Sequence, residues 1–204
     1  MKEDIRLEEW LRGLVSTPGL TALTDVEEAR RVLLDEALSG RELVERGPLV
    51  DVGSGGGSPG IPLAAVLPEI QVVLLESNGK KCDFLRTHSA AFANVSVVCA
   101  RAEEHGRGEG RDTYGTAVAR ALAPPAVALE WCLPLVAVGG RAVLYTGEPG
   151  PGLERVAARL GGGTPRVQAV TGFERRHLVV VEKLEPTSDE FPRRPGTAKK
   201  RPLA

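Results

Sequence analysis

Asp51-Val-Gly-Ser-Gly-Gly-Gly-Ser-Pro-Gly60 decides the reading of this chain. A short apolar run, Pro48-Leu-Val-Asp-Val52, leads into it, and a helix-like segment, Ile61-Pro-Leu-Ala-Ala-Val-Leu67, leads out. Strand, glycine loop and helix in that order form the context of a nucleotide-type cofactor site. Glycines let such a loop turn tightly and let its N–H groups approach a ligand with no Cβ in the way. Ser58 is expected to cap the helix, with Pro59 at the first helical position, where its missing N–H costs nothing. Gly55, Gly57 and Gly60 also satisfy the dinucleotide spacing G-x-G-x-x-G. Dinucleotide sites, however, rest a pyrophosphate on the loop and the helix N-terminus, and a carboxylate beside that anion would repel it. Asp51 suits a ligand with positive charge nearby, such as the ammonium and sulfonium of S-adenosylmethionine. A dinucleotide and a merely structural glycine turn remain the alternatives.

Outward from the loop, strand-like runs occur at 48–52, 71–75, 95–99, 116–119, 141–145, 166–171 and 177–182. Helix-like segments at 59–67, 78–92, 123–137 and 151–160 separate most of them. Alternation of this kind means right-handed crossovers and a mainly parallel sheet covered on both faces. The last two runs lie too close together for a helix and should pair as an antiparallel hairpin at the sheet edge. The fold class is therefore α/β, a doubly wound, mainly parallel seven-stranded sheet with an antiparallel edge hairpin. Ahead of it, Ile5, Leu7, Leu11 and Leu14 or Val15 give residues 1–15 the pattern of an amphipathic helix, which Trp10 should anchor. Thr24-Asp-Val-Glu27 has the form of a capping box for a second helix ending at Ser39-Gly40, and a short third helix should run from Arg41 to Arg46. The chain divides into a helical extension (1–47), a cofactor domain (48–185) and a basic tail (186–204).

Aromatic residues make up only 4% of the 204, so Leu, Val and Ala must build the core. Cys82, Cys99 and Cys132 are odd in number and lack metal spacing, and read as reduced thiols. His88, His105 and His177 have no ligand partners at metal spacing, so no metal is expected. The first residues carry charges of both signs, and no run approaches a membrane span. A soluble cytoplasmic monomer is expected.

In a doubly wound sheet the ligand sits beyond the carboxyl ends of the strands, at the switch point beside the first strand. Glu76, after the second strand, can accept two hydrogen bonds from ribose hydroxyls; the alternative is a helix-start acid answering the helix dipole. After the third strand, the backbone near Ala102 and the side chain of Glu103 can meet an adenine edge. Arg120, after the fourth, should point into the mouth of the site, or else form a salt bridge that fixes the loop. The tail carries Arg193, Arg194, Lys199, Lys200 and Arg201 with no acid from Phe191 onward. Its prolines and glycine exclude a regular element. Either it straps RNA phosphates, displacing condensed counterions, or it is a solubilising end.

Several stretches carry a family resemblance: Asp51 to Leu63, Leu74-Leu-Glu-Ser-Asn-Gly-Lys-Lys81, Phe84-Leu-Arg86, Arg101-Ala-Glu-Glu104, Ala119-Arg-Ala-Leu-Ala-Pro124 and Phe191-Pro-Arg-Arg-Pro-Gly196. Together they resemble the bacterial small-subunit (16S) ribosomal RNA guanine-N7 methyltransferase family, historically called glucose-inhibited division protein B. The resemblance implies a class I, Rossmann-like methyltransferase fold and a cofactor site at Gly53, Ser58, Ala102–Glu103 and Arg120. It also implies ribosomal RNA or the small-subunit particle as partner. Gly19, Val32, Glu36, Ser58 and Thr146 depart from the family pattern. Guanine N7 is a lone pair without a proton, so in-line transfer of the methyl group needs no general base, and alignment and electrostatics carry catalysis. Arg120 would then orient the base through O6 or a phosphate. The alternatives are methyl transfer to another RNA, a small molecule or a protein, or a non-catalytic relative that binds the cofactor.

Overall fold

The computed structural model describes residues 4–203. Seven strands form one sheet in the order β3-β2-β1-β4-β5-β7-β6. They are β1 (Leu49–Val52), β2 (Val72–Glu76), β3 (Val95–Cys99), β4 (Tyr114–Arg120), β5 (Val136–Thr146), β6 (Arg166–Ala169) and β7 (His177–Glu182). The first five run parallel; β7 returns antiparallel beside β5, and β6 pairs antiparallel with β7 at the edge. Order reverses between β1 and β4, which puts the switch point where the sequence expects it.

Successive side chains of a strand point to opposite faces, and the core follows that period. Val50, Val52, Leu75, Ala117, Ala119, Ala142 and Leu144 lie in one cluster, with α7 (Pro125–Cys132) and α8 (Leu153–Arg159). Leu49, Val72, Leu74, Val118, Val143 and Tyr145 lie in the other, with α1 (Ile5–Ser16), α4 (Gly60–Val66) and α5 (Gly79–Ser89). Both faces are covered, which is why the strands are apolar throughout rather than alternating.

The N-terminal helices share the second cluster with the sheet, and they brace the glycine loop. Helix α1 buries Leu7, Trp10, Leu11 and Leu14, while Ile5 faces solvent; its expected first residues, 1–3, lie outside those described. Trp10 Nε1 donates to the Gly56 carbonyl (2.8 Å). The second helix is capped one residue later than the sequence suggests, by Asp25, which accepts from Glu28 N at 2.8 Å. It is also not uniform. Helix α2 (Val26–Ala29) passes into a π-helical stretch, Arg30–Asp35, and then α3 (Glu36–Leu38). Wider turns of this kind often occur at functional sites, and here the carbonyls of Val32 and Leu33 accept from the side chains of Arg120 and Ser58. The expected third helix is a single 3-10 turn, Arg41–Leu43.

Two further expectations are overturned. Cys82 and Cys99 form a disulfide, their Cα atoms 5.9 Å apart, while Cys132 is free and buried. Parallel pairing sets Cys99 opposite Glu76, and Cys82 lies just beyond Glu76 in α5, so the crossover brings together two thiols that spacing alone leaves apart. The tail, for its part, contains a short helix, α9 (Thr197–Lys200), and is packed onto the molecule. Phe191 and Ala198 are core residues, and Arg111 donates to the carbonyls of Thr187 (2.5 Å) and Phe191 (2.8 Å).

Candidate active site

Two adjoining cavities open at the carboxyl ends of the central strands. The larger, about 390 Å³, is lined among others by Leu14, Gly53, Gly55, Ser58, Glu76 and Arg120. The smaller, about 120 Å³, is lined among others by Leu122, Ala102, Glu103, Trp131, Gly196 and Lys199. Gly53, Ser77 and Leu122 border both, so the two form one cleft over the switch point.

The glycine loop is a tight backbone construction. Gly53 and Ser54 donate to the Leu75 carbonyl (2.7 and 3.1 Å), which ties the end of β1 to β2. Gly53, Gly55 and Gly57 all have positive φ, at +70°, +57° and +103°. A Cβ on Gly53 would collide with Leu122, the side chain shared by both cavities. Ser58 does not cap α4. Its hydroxyl donates to the Leu33 carbonyl at 2.7 Å, so it links the loop to the π-helical stretch instead.

Asp51 sits beneath the loop rather than in the cleft. It is fully buried, its Oδ2 accepts from Gly60 N at 3.0 Å, and its Oδ1 has no hydrogen-bond partner among the described residues. Burial pushes its carboxyl up to about 7, against the opposing pull of the Gly60 bond and of Arg120. Between its ordinary value of 3.8 and about 7 the folded protein therefore holds a proton that the unfolded chain has lost. Stability should fall as pH rises through that window, and the loss is complete above it. We expect urea denaturation to show a drop of about 2–4 kcal/mol from this group, an order of magnitude set by the size of the perturbation. Asp51→Asn, which cannot ionise, should lack that drop; an equal slope in both proteins would exclude it.

Glu76 is nearly buried and already heavily bonded. Oε1 accepts from the backbone N–H of Ser77 (2.7 Å) and Asn78 (2.8 Å), and Oε2 from Gly55 N (3.0 Å). With two lone pairs per oxygen, one acceptor position remains, on Oε2, beside the loop. The sequence reading allowed two. The capping role of Asn78 is as expected, its side chain accepting from Lys81 N at 3.2 Å.

Arg120 lines the larger cavity, and its head is held from the extension. Nη1 donates to the Val32 carbonyl (2.9 Å) and reaches Glu36 Oε2 (3.5 Å). Glu36 is buried and also pairs with Arg176 (3.4 Å). Burial draws the Arg120 guanidinium below its ordinary value, while Glu36 and Asp51 oppose that shift. Arg120 thus has both of the features the sequence left open, a place in the mouth and an ion pair.

Ala102 opens helix α6 (Ala102–His105), and Glu103 is buried beside it with Oε1 accepting from Gly196 N at 3.0 Å. Among the tail cations, Arg193 is committed elsewhere: Nε and Nη2 make a two-pronged pair with buried Glu130 (2.7 and 2.6 Å). Arg194, Lys199, Lys200 and Arg201 are exposed. Sequence reasoning missed Leu14, Ser77, Leu122, Trp131 and Gly196 as walls of the cleft. Ser77 and Leu122 follow strand ends and could have been found by that rule; the others come from distant segments with no local signal.

These features fit an adenosyl sulfonium well. A glycine cradle of positive-φ backbone, one spare acceptor on Glu76 and a small cavity beside Glu103 could hold its ribose and base. The fold and the cleft are those of a class I S-adenosylmethionine-dependent methyltransferase. Solved structures agree on the fold: precorrin-6y C5,15-methyltransferase from Geobacter metallireducens is similar at a TM-score of 0.54, with 18% identity over 82% of this chain and 92% of that one. A 16S rRNA methyltransferase of T. thermophilus, in complex with AdoMet and guanosine, matches at a TM-score of 0.54, with 20% identity over 75% of this chain and 39% of that one. The chain belongs to the GidB family, rRNA small subunit methyltransferase G, which matches residues 6–151. Ribosomal RNA small subunit methyltransferase G of Moorella thermoacetica is 40% identical over 98% of this chain and 91% of its own length. The protein of the same description from Rubrobacter xylanophilus is 43% identical over 86% and 75%. Among the described residues no His, Cys, Asp and Glu cluster could hold a metal, and no helix is long and apolar enough to cross a membrane.

Proposed function

We propose that this enzyme methylates N7 of a guanine in 16S ribosomal RNA, as naked RNA or within the small-subunit particle, acting in the cytoplasm as a monomer. The observation that carries the reading is Arg120, set in the mouth of the cleft over the cofactor loop. The relatives' description as ribosomal RNA small subunit methyltransferases supports the RNA class.

S-adenosylmethionine supplies an electrophilic methyl group on a positively charged sulfur. The protein's own residues hold and align. Gly53, Gly55 and Gly57 form the cradle, with Ser58 tying it to the π-helical stretch. Glu76 accepts from the ribose through Oε2, and Ala102 and Glu103 border the base. Asp51 acts from below, through the negative field it acquires as it ionises and through Gly60. The ionisable groups lining the larger cavity are Glu76, Lys81 and Arg120. Glu76 is fixed in place by three N–H donors. N7 of guanine carries no proton, so such a site is sufficient.

Arg120 Nη2 makes no hydrogen bond among the described residues and is the donor we assign to guanine O6 or a neighbouring phosphate. Bonding N7 itself would occupy the attacking lone pair. Arg194, Lys199, Lys200 and Arg201 would neutralise RNA phosphates. With undermodified 16S RNA or subunits and labelled cofactor, label should appear at a guanine N7 mapped by base-specific cleavage. Arg120→Ala should slow that transfer about 100-fold, the scale of losing one oriented polar group at a reacting centre. Label on another base or on protein would refute the target, and an undiminished rate would remove Arg120 from the reaction.

A further inference from the structure

We infer that the C-terminal segment is part of the cofactor site, with Gly196, Lys199 and Trp131 forming the outer wall of the adenine subsite. The inference rests on the proposed use of S-adenosylmethionine and deepens it. The smaller cavity has an apolar inner side of Val52, Leu75 and Leu122, and Glu103 stands at its edge. Gly196 and Lys199 reach its rim from more than ninety residues further along the chain: Gly196 N donates to Glu103 Oε1, a contact spanning 93 positions. Lys199 Nζ lies over the Trp131 ring, 5.4 Å from its centroid, in cation–π range.

The segment is held there by built contacts. Phe191 is fully buried and Ala198 almost so, and Arg193 is locked to Glu130. One polar group at this wall is incompletely used. Gly196 N occupies Glu103 Oε1, and Glu103 Oε2 makes no hydrogen bond among the described residues. Adenine offers the complement, an exocyclic amine for a carboxylate. A cleft with apolar side chains and a few convergent polar groups is the form a base-binding pocket takes. The same segment carries exposed Arg194, Lys200 and Arg201.

The test uses the full chain, a deletion of residues 196–204, which keeps Phe191 and the Arg193–Glu130 pair, and full-length Lys199→Ala. Binding of S-adenosylmethionine and of adenosine is measured by calorimetry, with dissociation rates by stopped flow and melting curves to show that each protein is folded. The deletion should raise both dissociation constants about 10-fold, or about 1.4 kcal/mol, chiefly through faster release. Lys199→Ala should raise them about threefold, and it decides the matter if the deletion does not fold. Unchanged cofactor and adenosine constants in folded variants would overturn the wall, even if RNA affinity falls, because that pattern describes a phosphate strap alone. If the full chain binds no S-adenosylmethionine, the cofactor reading itself fails, a result distinct from the first.

Discussion

Gly53→Val is expected to remove S-adenosylmethionine binding, with the dissociation constant rising at least about 100-fold, or about 2.7 kcal/mol. Two effects combine. The backbone at Gly53 has a φ of +70°, which a β-branched residue adopts only under strain. Its new side chain would also be driven into Leu122, and Leu122 borders both cavities, so relieving the clash narrows the cleft at its middle. Gly53 N must meanwhile keep its 2.7 Å bond to the Leu75 carbonyl for the loop to hold its shape. Gly53→Ala, with the same φ problem and less bulk, should fall between. Calorimetry against the cofactor checks this, with a melting curve to confirm folding. A valine protein that is folded and binds normally would remove the loop from the cofactor site.

The second large effect concerns stability. Arg193→Ala should lower the melting temperature by roughly 6–12 °C, the shift that about 3 kcal/mol produces in a chain of this size. Glu130 is only 1% exposed in its side chain and has Arg193 as its partner through two short bonds. Breaking a buried pair from one side leaves the other charge desolvated, typically at 3–5 kcal/mol; the lower end applies because Arg193 keeps 22% exposure. Glu130→Gln with Arg193 retained should lose less, since no buried charge is stranded. Scanning calorimetry decides between this and the sequence reading of Arg193 as a phosphate contact. A variant that melts normally but binds RNA weakly would restore that reading.

The departures from the family pattern look different once the contacts are known. At Val32 the contact to Arg120 is made by the main-chain carbonyl, which any residue supplies. Ser58 uses its hydroxyl to bond the Leu33 carbonyl, an attachment of the loop to the N-terminal helices that an apolar side chain could not make. Glu36 pairs with both Arg120 and Arg176, so a carboxylate at that position is well used. Each of these contacts meets the π-helical stretch or the turn after it. The N-terminal helices therefore brace the cleft, with hydrogen bonds 2.7–2.9 Å long from Ser58 and Arg120.

Local and periodic features were legible in the residues alone. Alternating apolar runs and helical stretches gave seven strands in a doubly wound sheet, because burial on both faces needs continuous apolar strands and crossovers set their direction. The glycine loop marked a cleft at the strand ends, since positive φ and the close approach of backbone are written in residue type. Where the charges ended depended on long-range packing. Asp51 lies under the loop because its carboxylate is taken by Gly60, and Arg193 faces Glu130 rather than solvent. Cys82 meets Cys99 through strand register, and the tail meets Glu103 through Phe191 and Ala198 in the core. These outcomes depend on which distant segment packs nearest, and a charge or thiol takes whatever partner burial presents to it.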